Sequence, residues 1–185
     1  MADVRSLYHR AQRQRPVFLD LSGRSLDERD PLARVRSVMQ RRNYAVQESL
    51  NRGEPFLFQP APGLLSFGIA LEDRRMVHGG LVGGEFVTEA EGAAAVAFLR
   101  ENGLGDETAS RWVAELPVRP FDAIQEAAHF LQTTFYQVSG WQPDLLRENR
   151  IRAQQQAQFN QAIEDQRRHG KRPLYAFEKE RALLA

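Results

Sequence analysis

The chain has no cysteine among its 185 residues. That absence removes disulfides, thiol nucleophiles, Cys-type zinc sites and cysteine-ligated iron–sulfur clusters from consideration. No apolar run approaches the length of about 20 residues that a bilayer-crossing helix needs, so no membrane association is expected. The opening stretch MADVRSLYHRAQRQRP lacks the apolar segment of a signal peptide, and the expected compartment is the cytoplasm. An excess of one charge is missing too. The formal net charge is +1, too balanced for nucleic-acid binding by the chain as a whole. His9, His78, His129 and His169 are scattered with no metal-type spacing, and Ser66 has no G-x-S-x-G context. The run Gly79-Gly80-Leu81-Val82-Gly83-Gly84 is neither G-x-G-x-x-G nor a P-loop, and no lysine follows where phosphate chemistry would need one. The expectation is therefore no enzyme, no metal and no cofactor.

What remains is an ordinary soluble composition, with 42% hydrophobic and 26% charged residues. A globular part of about 140 residues buries roughly two thirds of its unfolded surface, enough for a real core. The most informative stretch runs from Leu64 to Val87. Leu65, Phe67, Ile69 and Leu71 are large and apolar, whereas Ser66, Gly68 and Ala70 between them are small. A strand alternates faces at every residue, so one face buries large side chains and the other leaves room. Glycines in the following run weaken a strand unless something approaches its backbone closely. That visitor is a packed helix or a small ligand.

The rest of the chain divides by period. Ala2 to Arg13 reads as a helix with Val4, Leu7, Tyr8 and Ala11 in one stripe, ended by Pro16, and Val17 to Leu21 as a brief apolar segment. A second helix starts at Pro31 behind an Asp30 cap and stops at Gly53, with Leu32, Val35, Met39, Val46 and Leu50 as its stripe. Strands are expected at Phe56–Gln59, Leu64–Glu72 and Arg75–Val87, with a hairpin at Glu72-Asp73-Arg74-Arg75. Thr88 and Glu91 form a capping box for a helix ending near Gly103, and Asp106 caps a shorter one containing Trp112 and Val113. Phe121, Ile124, Ala128, Leu131, Phe135 and Val138 line one face of a helix closed by Gly140.

Beyond Pro143 the composition turns polar and glutamine-rich. Ala153, Ala157, Phe159, Ala162 and Ile163 make a thin apolar seam that cannot hold the helix on a core, so it projects, pairs with another chain or serves as a connector. Gly170 and Pro173 break it, and LYAFEKERALLA reads as the start of a further helix. The expected division is a domain over residues 1–142 and a helical connector over residues 143–185. The fold class is α/β (α+β), an antiparallel sheet flanked by helices with a long C-terminal helix.

The segments PFLFQPAPGLLSFGIAL, HGGLVGGEFV, LPVRPFDAIQEAAHFLQTTFYQ and the tail from Glu148 to Ala185 resemble the PocR-type sensory domain of AraC-type transcription regulators. The resemblance spans roughly Arg5 to Ala185. It implies a PAS- or GAF-like fold that binds a small molecule, with small polyols as the associated ligands. Many relatives carry cysteines in or near the pocket, and their absence here speaks against redox or metal sensing. The resemblance also implies helix-turn-helix units after the connector, so DNA contact is expected from an output domain that is not in this sequence.

Candidate ligand-binding residues are Phe56, Phe58, Ser66, Phe67, His78, Gly80, Glu85 and Trp112. His78 is expected on the strand face of Gly80 and Val82, offering a ring nitrogen to a ligand hydroxyl or bonded to a neighbouring carbonyl. Glu85 is the one carboxylate next to the glycine-rich strand, a ligand contact or a surface residue. The aromatics wall a chamber or fill the core. A helix such as Phe121–Ser139 covering the small-residue face would enclose a pocket beside Ser66, Gly68 and Gly80. The function expected is small-molecule sensing relayed through the C-terminal helix, which also carries a homodimer contact. The alternative is a ligand-free dimerisation module.

Overall fold

The computed structural model describes residues 2–88 and 92–170. Contacts divide the chain into two units, residues through Arg150 and residues from Ile151 onward. The division falls later than the expected one at 142/143, because Leu146 is buried within the first unit. The first unit is a mixed α/β structure, an antiparallel sheet flanked by helices.

The sheet has five strands among the described residues: β1 (Val17–Leu19), β2 (Phe56–Phe58), β3 (Leu64–Asp73), β4 (Met76–Val82) and β5 (Phe86–Val87). Its order is β1-β4-β3-β2, with β5 paired to the start of β3. The segment Val17 to Leu21, which offers too few residues for a strand signal, supplies the edge strand β1 on β4. The expected Arg75–Val87 strand is two strands, because Gly84 at φ 88° breaks the ladder between β4 and β5.

The β3–β4 hairpin lies where the sequence put it, on a turn of unusual residues. Arg74 and Arg75 have φ 49° and 71°, the positive pair that a two-residue hairpin turn of type I′ requires. Neither residue is glycine or asparagine, so contacts must hold the turn. The Arg75 backbone N–H donates to Glu72 Oε1, the Arg74 N–H donates to the Gln142 carbonyl at 2.8 Å, and the Gln142 N–H donates to Asp73 Oδ1 at 2.8 Å.

The helices are α1 (Ala2–Gln12), α2 (Arg36–Arg52), α3 (Gly92–Glu101), α4 (Asp106–Ala114), α5 (Phe121–Ser139) and α6 (Asp144–Gly170). Asp30 caps as expected, accepting from the Leu32 N–H at 3.1 Å, but over a 3-10 turn at Pro31–Arg34; Val35 is extended and α2 begins after it. Gly105, not Asp106, is the residue before α4, and no side chain caps that end. Glu91 of the expected capping box and the final segment LYAFEKERALLA fall outside the described residues, while the Thr88 hydroxyl donates to the Gly63 carbonyl at 3.3 Å.

The two sheet faces are covered in the opposite sense from the expectation. Phe67, Ile69, Leu71 and Leu81 form one core with Ile124, Ala127, Ala128, Leu131 and Phe135 of α5 and Val4 and Tyr8 of α1. The large-residue face thus receives α5. The small-residue face receives α2, whose inward row is Val38, Arg42, Ala45 and Ser49. A Cβ at Gly68 would lie 2.8 Å from the Ala45 carbonyl carbon, and one at Gly80 would lie 2.4 Å from a Val46 methyl. Ser49 Oγ reaches the strand itself, accepting from the Ala70 N–H at 3.1 Å. The missing side chains are therefore the seat of a helix.

In the second unit, residues 151–165 of α6 are exposed apart from half-buried Ile163. Ile151 and Phe159 expose 55% and 61% of their surface. Among the described residues no helix is long and apolar enough to cross a membrane.

The seat of α2 is testable. Gly68→Ala sets a methyl against helix backbone, which cannot give way, and is expected to cost about 1–3 kcal/mol by urea unfolding. Gly105→Ala is the comparison, with its nearest neighbour 3.9 Å away; it meets no clash and is expected to lose only the N-cap preference, below about 1 kcal/mol.

Candidate functional site

The eight residues singled out from the sequence go to different places. Phe58 is buried under α2 with Val17, Ala45 and Val82, and half-buried Phe56 packs at the edge of that cluster. The Phe56 ring meets Tyr44 edge-on at 5.9 Å and the Arg52 guanidinium at 4.7 Å. Gly80 lies beneath Val46. Phe56 and Phe58 hold α2 down, whereas Gly80, with Ala70, Val77 and Gly79, also lines a cavity of about 270 Å³ beside Val46, Gln47 and Leu50 of α2.

Ser66 and Phe67 serve the glycine-rich connection from β4 to β5. Ser66 Oγ donates to the Gly84 carbonyl at 2.7 Å and Tyr8 Oη donates to the Gly83 carbonyl at 2.8 Å. The Phe67 ring fills the space where a Gly83 side chain would stand, and its exposure is 0%. Side chains of the protein itself are what approach this backbone. Burial, and next the charge of Glu85, push the Tyr8 phenol well above its ordinary pKa, so it stays a neutral donor.

Glu85 is buried, contrary to the surface reading. Its Oε1 lies 2.6 Å from Arg42 Nη2, while Arg42 Nη1 lies 2.5 Å from Asp30 Oδ2. Arg42 itself has 0% exposure. Burial alone would pull the guanidinium pKa down, but Glu85 and Asp30 outweigh it and hold the pKa above the ordinary arginine range. Periodicity missed Arg42 because a charged residue is normally placed on the solvent side of a helix. The available signal was its position between Val38 and Ala45 in the inward row. A cavity of about 340 Å³ opens beside this triad, lined by Asp30, Glu85 and Trp112 with Asp27, Glu115 and Arg29. Glu85 and Trp112 are thus brought together, but both floor carboxylates are already engaged by Arg42.

A different cleft, of about 350 Å³, lies between α5 and the first two turns of α6. Gln132, Thr133, Tyr136 and Gln137 come from α5, Trp141 and Pro143 from the connection, and Leu146, Arg147 and Arg150 from α6; Gly53 closes one end. Gly53, the left-handed cap of α2 at φ 72°, lets α6 come close: a Cβ there would lie 2.0 Å from the Leu146 carbonyl oxygen. Asn149 Nδ2 donates to the Leu50 carbonyl at 2.8 Å, satisfying an acceptor at the end of α2.

The opposite wall is pinned to the hairpin. Arg75 holds Glu148 through two contacts of 2.5 and 3.0 Å. Tyr136 Oη donates to the Ala70 carbonyl and accepts from the Glu72 N–H, both at 3.2 Å. Burial, together with the charges of Glu72 and Asp73, pushes its pKa up to about 12. His78 reaches this region and not the face of Gly80. The β3–β4 register shifts between Leu71 and Glu72, and such a bulge re-aims a side chain. The His78 ring rests 4.7 Å from Trp141, which in turn meets Phe135 at 5.3 Å.

The cleft combines aromatic and aliphatic surface with side chains that have no partner within the described protein. Among the described residues, Gln132, Thr133, Gln137, Arg147 and Arg150 make no side-chain hydrogen bond or ion pair. Its composition is that of a small-molecule site, an apolar wall with a few polar groups. The sequence signal for it was weak, because α5 residues at Gln132 and Gln137 read as the solvated side of an amphipathic helix. Among the described residues, no group of three or more His, Asp or Glu side chains is placed to hold a metal ion.

The triad makes a sharp prediction. Arg42→Met leaves two buried carboxylates without their cation and is expected to cost about 3–5 kcal/mol at pH 7. Arg42→Met with Glu85→Leu removes one of those charges and is expected to recover part of the loss. Urea midpoints at pH 7 measure both, and equal stability of Arg42→Met and the parent would contradict the burial of this pair. Comparisons with protein-family models, with curated proteins and with solved structures each returned no match.

Proposed function

We propose that this chain is a small-molecule-sensing domain of the PocR type, serving a transcription regulator of the AraC type. The observation that carries the reading is the cleft whose wall is formed by the first two turns of α6. A ligand there touches the start of the C-terminal helix directly. Any difference in its affinity for two arrangements of those turns becomes a bias on the helix. The cavity beside Glu85 offers no comparable link, since its lining comes from other elements. This reading moves the ligand surface from the small-residue face, where α2 seats on Gly68 and Gly80, to the cleft between α5 and α6. DNA contact is assigned to none of these residues.

Native mass spectrometry of freshly purified protein, followed by a thermal-shift screen of small diols, carboxylates and phosphates, tests the reading. A bound compound at a hundred times its Kd raises stability by about 2.7 kcal/mol. Trp141→Ala is expected to abolish that shift, and Phe58→Leu, which alters only the α2 side, to retain it. A shift that survives Trp141→Ala unchanged would rule out the cleft.

A second reading, an interaction module that pairs two copies, is favoured by the bare face of α6. At about 100° per residue, Ile151, Gln155, Phe159, Ala162 and Ile163 fall within about 120° of one another, and two of these are large and exposed. The two readings are compatible, with the homodimer as the means by which a sensor reports. Phe159→Glu is expected to convert a dimer to a monomer in light scattering while leaving the melting temperature of the first unit unchanged. A parent chain that is already monomeric at high concentration would remove this reading.

A further inference from the structure

We infer that the cleft at the root of α6 takes a small organic anion, its carboxylate or phosphate head held by Arg147 and Arg150 and its apolar body lying on Trp141 and Leu146. The inference rests on the sensing proposal and departs from the neutral polyols that the sequence resemblance implies. It starts from the lining. Arg147 and Arg150 line this cleft and no carboxylate does. The Glu85 cavity differs on this point, with Asp27, Asp30, Glu85 and Glu115 along its walls.

The positions of the two arginines add geometry to charge. Arg147 and Arg150 are three residues apart on α6, a spacing that sets side chains next to each other on one helix face. Glu148, the carboxylate closest in sequence, is engaged by Arg75. Among the described residues neither Arg147 nor Arg150 has an ion-pair partner. Guanidinium pairs of this kind match planar carboxylates and phosphates through bidentate hydrogen bonds.

The rest of the lining suits a molecule with one charged end. Tyr136 Oη has its donor and acceptor roles filled by Ala70 and Glu72, so it presents ring to the cleft and not a free hydroxyl. The amides of Gln132 and Gln137 and the hydroxyl of Thr133 supply neutral donors across from the arginines. Leu146, Pro143 and the Trp141 ring supply apolar surface. The volume of about 350 Å³ is at the small end for ligand pockets. Because both arginines are exposed, attraction to the head group is screened by salt.

The chain has two tryptophans, Trp141 in the cleft and Trp112 in the Glu85 cavity, and that allows a single experiment to distinguish these two sites. The full chain labelled with 5-fluorotryptophan gives two fluorine resonances, assigned through Trp112→Phe. It is titrated with benzoate and phenyl phosphate as anionic probes, and with benzyl alcohol and 1,2-propanediol as neutral ones. The expected result is that the Trp141 resonance moves with both anions and not with benzyl alcohol. Arg150→Gln and Arg147→Gln are each expected to weaken binding by about tenfold, the loss of a charge-assisted contact. Added sodium chloride weakens it further. Both substitutions are at exposed positions, and an unchanged melting temperature verifies that each variant folds.

Movement of the Trp112 resonance in place of Trp141 would overturn the location. Anion binding that survives both arginine substitutions would overturn the role of the pair. A Trp141 response to 1,2-propanediol, with none to the anions, would overturn the anionic class and leave the sensing proposal standing. No response to any probe, with no retained molecule in native mass spectra, would overturn both.

Discussion

The constraint on which this domain depends is the contact distance between α2 and the sheet. Helices normally stand off a sheet by the thickness of two side-chain layers, near 10 Å. Here Gly68 and Gly80 remove one layer, and Ser49 bonds directly to the Ala70 N–H of the strand. The closeness brings Arg42 of the same helix row into the interior, where water cannot reach its charge. Asp30 and Glu85 then become obligatory partners, since an unpaired buried guanidinium is far too costly. One choice of small side chains on β3 and β4 thus accounts for a fully buried ionic triad a turn away along α2. The triad in turn ties the Asp30 cap and the β4–β5 connection to α2, joining two segments that share no hydrogen-bond ladder.

Much of the architecture was legible from pattern. The alternation at Leu65, Phe67, Ile69 and Leu71 identified the buried strand, and Gly53 and Gly140 terminate α2 and α5 in the left-handed conformation expected of them. The faces were harder to assign. Alternation says that two faces differ, but not which helix covers each, because α2 and α5 both carry apolar residues at helical spacing. The inward row of α2 also contains Arg42 and Ser49, polar residues that a period count discards. The small strand residues read equally as a chamber or a helix seat, and the outcome depended on that row. The second ambiguity was His78. Its face follows from alternation only if the ladder is regular, and a bulge at Leu71/Glu72 reverses it.

The candidate site was less legible than the fold, for a physical reason. A cleft between α5 and α6 is made from residues on the polar sides of two helices and on the turn between them. Gln132, Gln137, Arg147 and Arg150 have the composition of solvated surface, and they become a site through the approach of α6. Gly53 permits that approach, and nothing in its own sequence neighbourhood distinguishes it from an ordinary helix stop. Trp141 is the exception: an aromatic just after a helix-ending glycine is a poor fit to a free loop, and it anchors the turn against Phe135 and His78.

The way α6 is anchored determines what a ligand in this cleft is able to do. On one side the helix start is held to the hairpin through Gln142 and Glu148, by backbone bonds to Asp73 and Arg74 and the Arg75 ion pair. On the other side it is held to the end of α2 by Asn149 and the Gly53 contact. The Arg75–Glu148 pair is exposed but bidentate, a geometry that adds to the hold on the hairpin side. In the proposed sensor the bonds at Gln142 and Asn149 are the fixed points of the helix start, and a ligand between α5 and Arg147 would act on the stretch between them. Such a device moves only as far as the ligand's preference for one arrangement over the other allows, about 1.4 kcal/mol for each factor of ten in affinity. A guest that gripped α5 alone would bind and report nothing; a guest whose strongest contacts are to α6 converts its binding energy into a change of state.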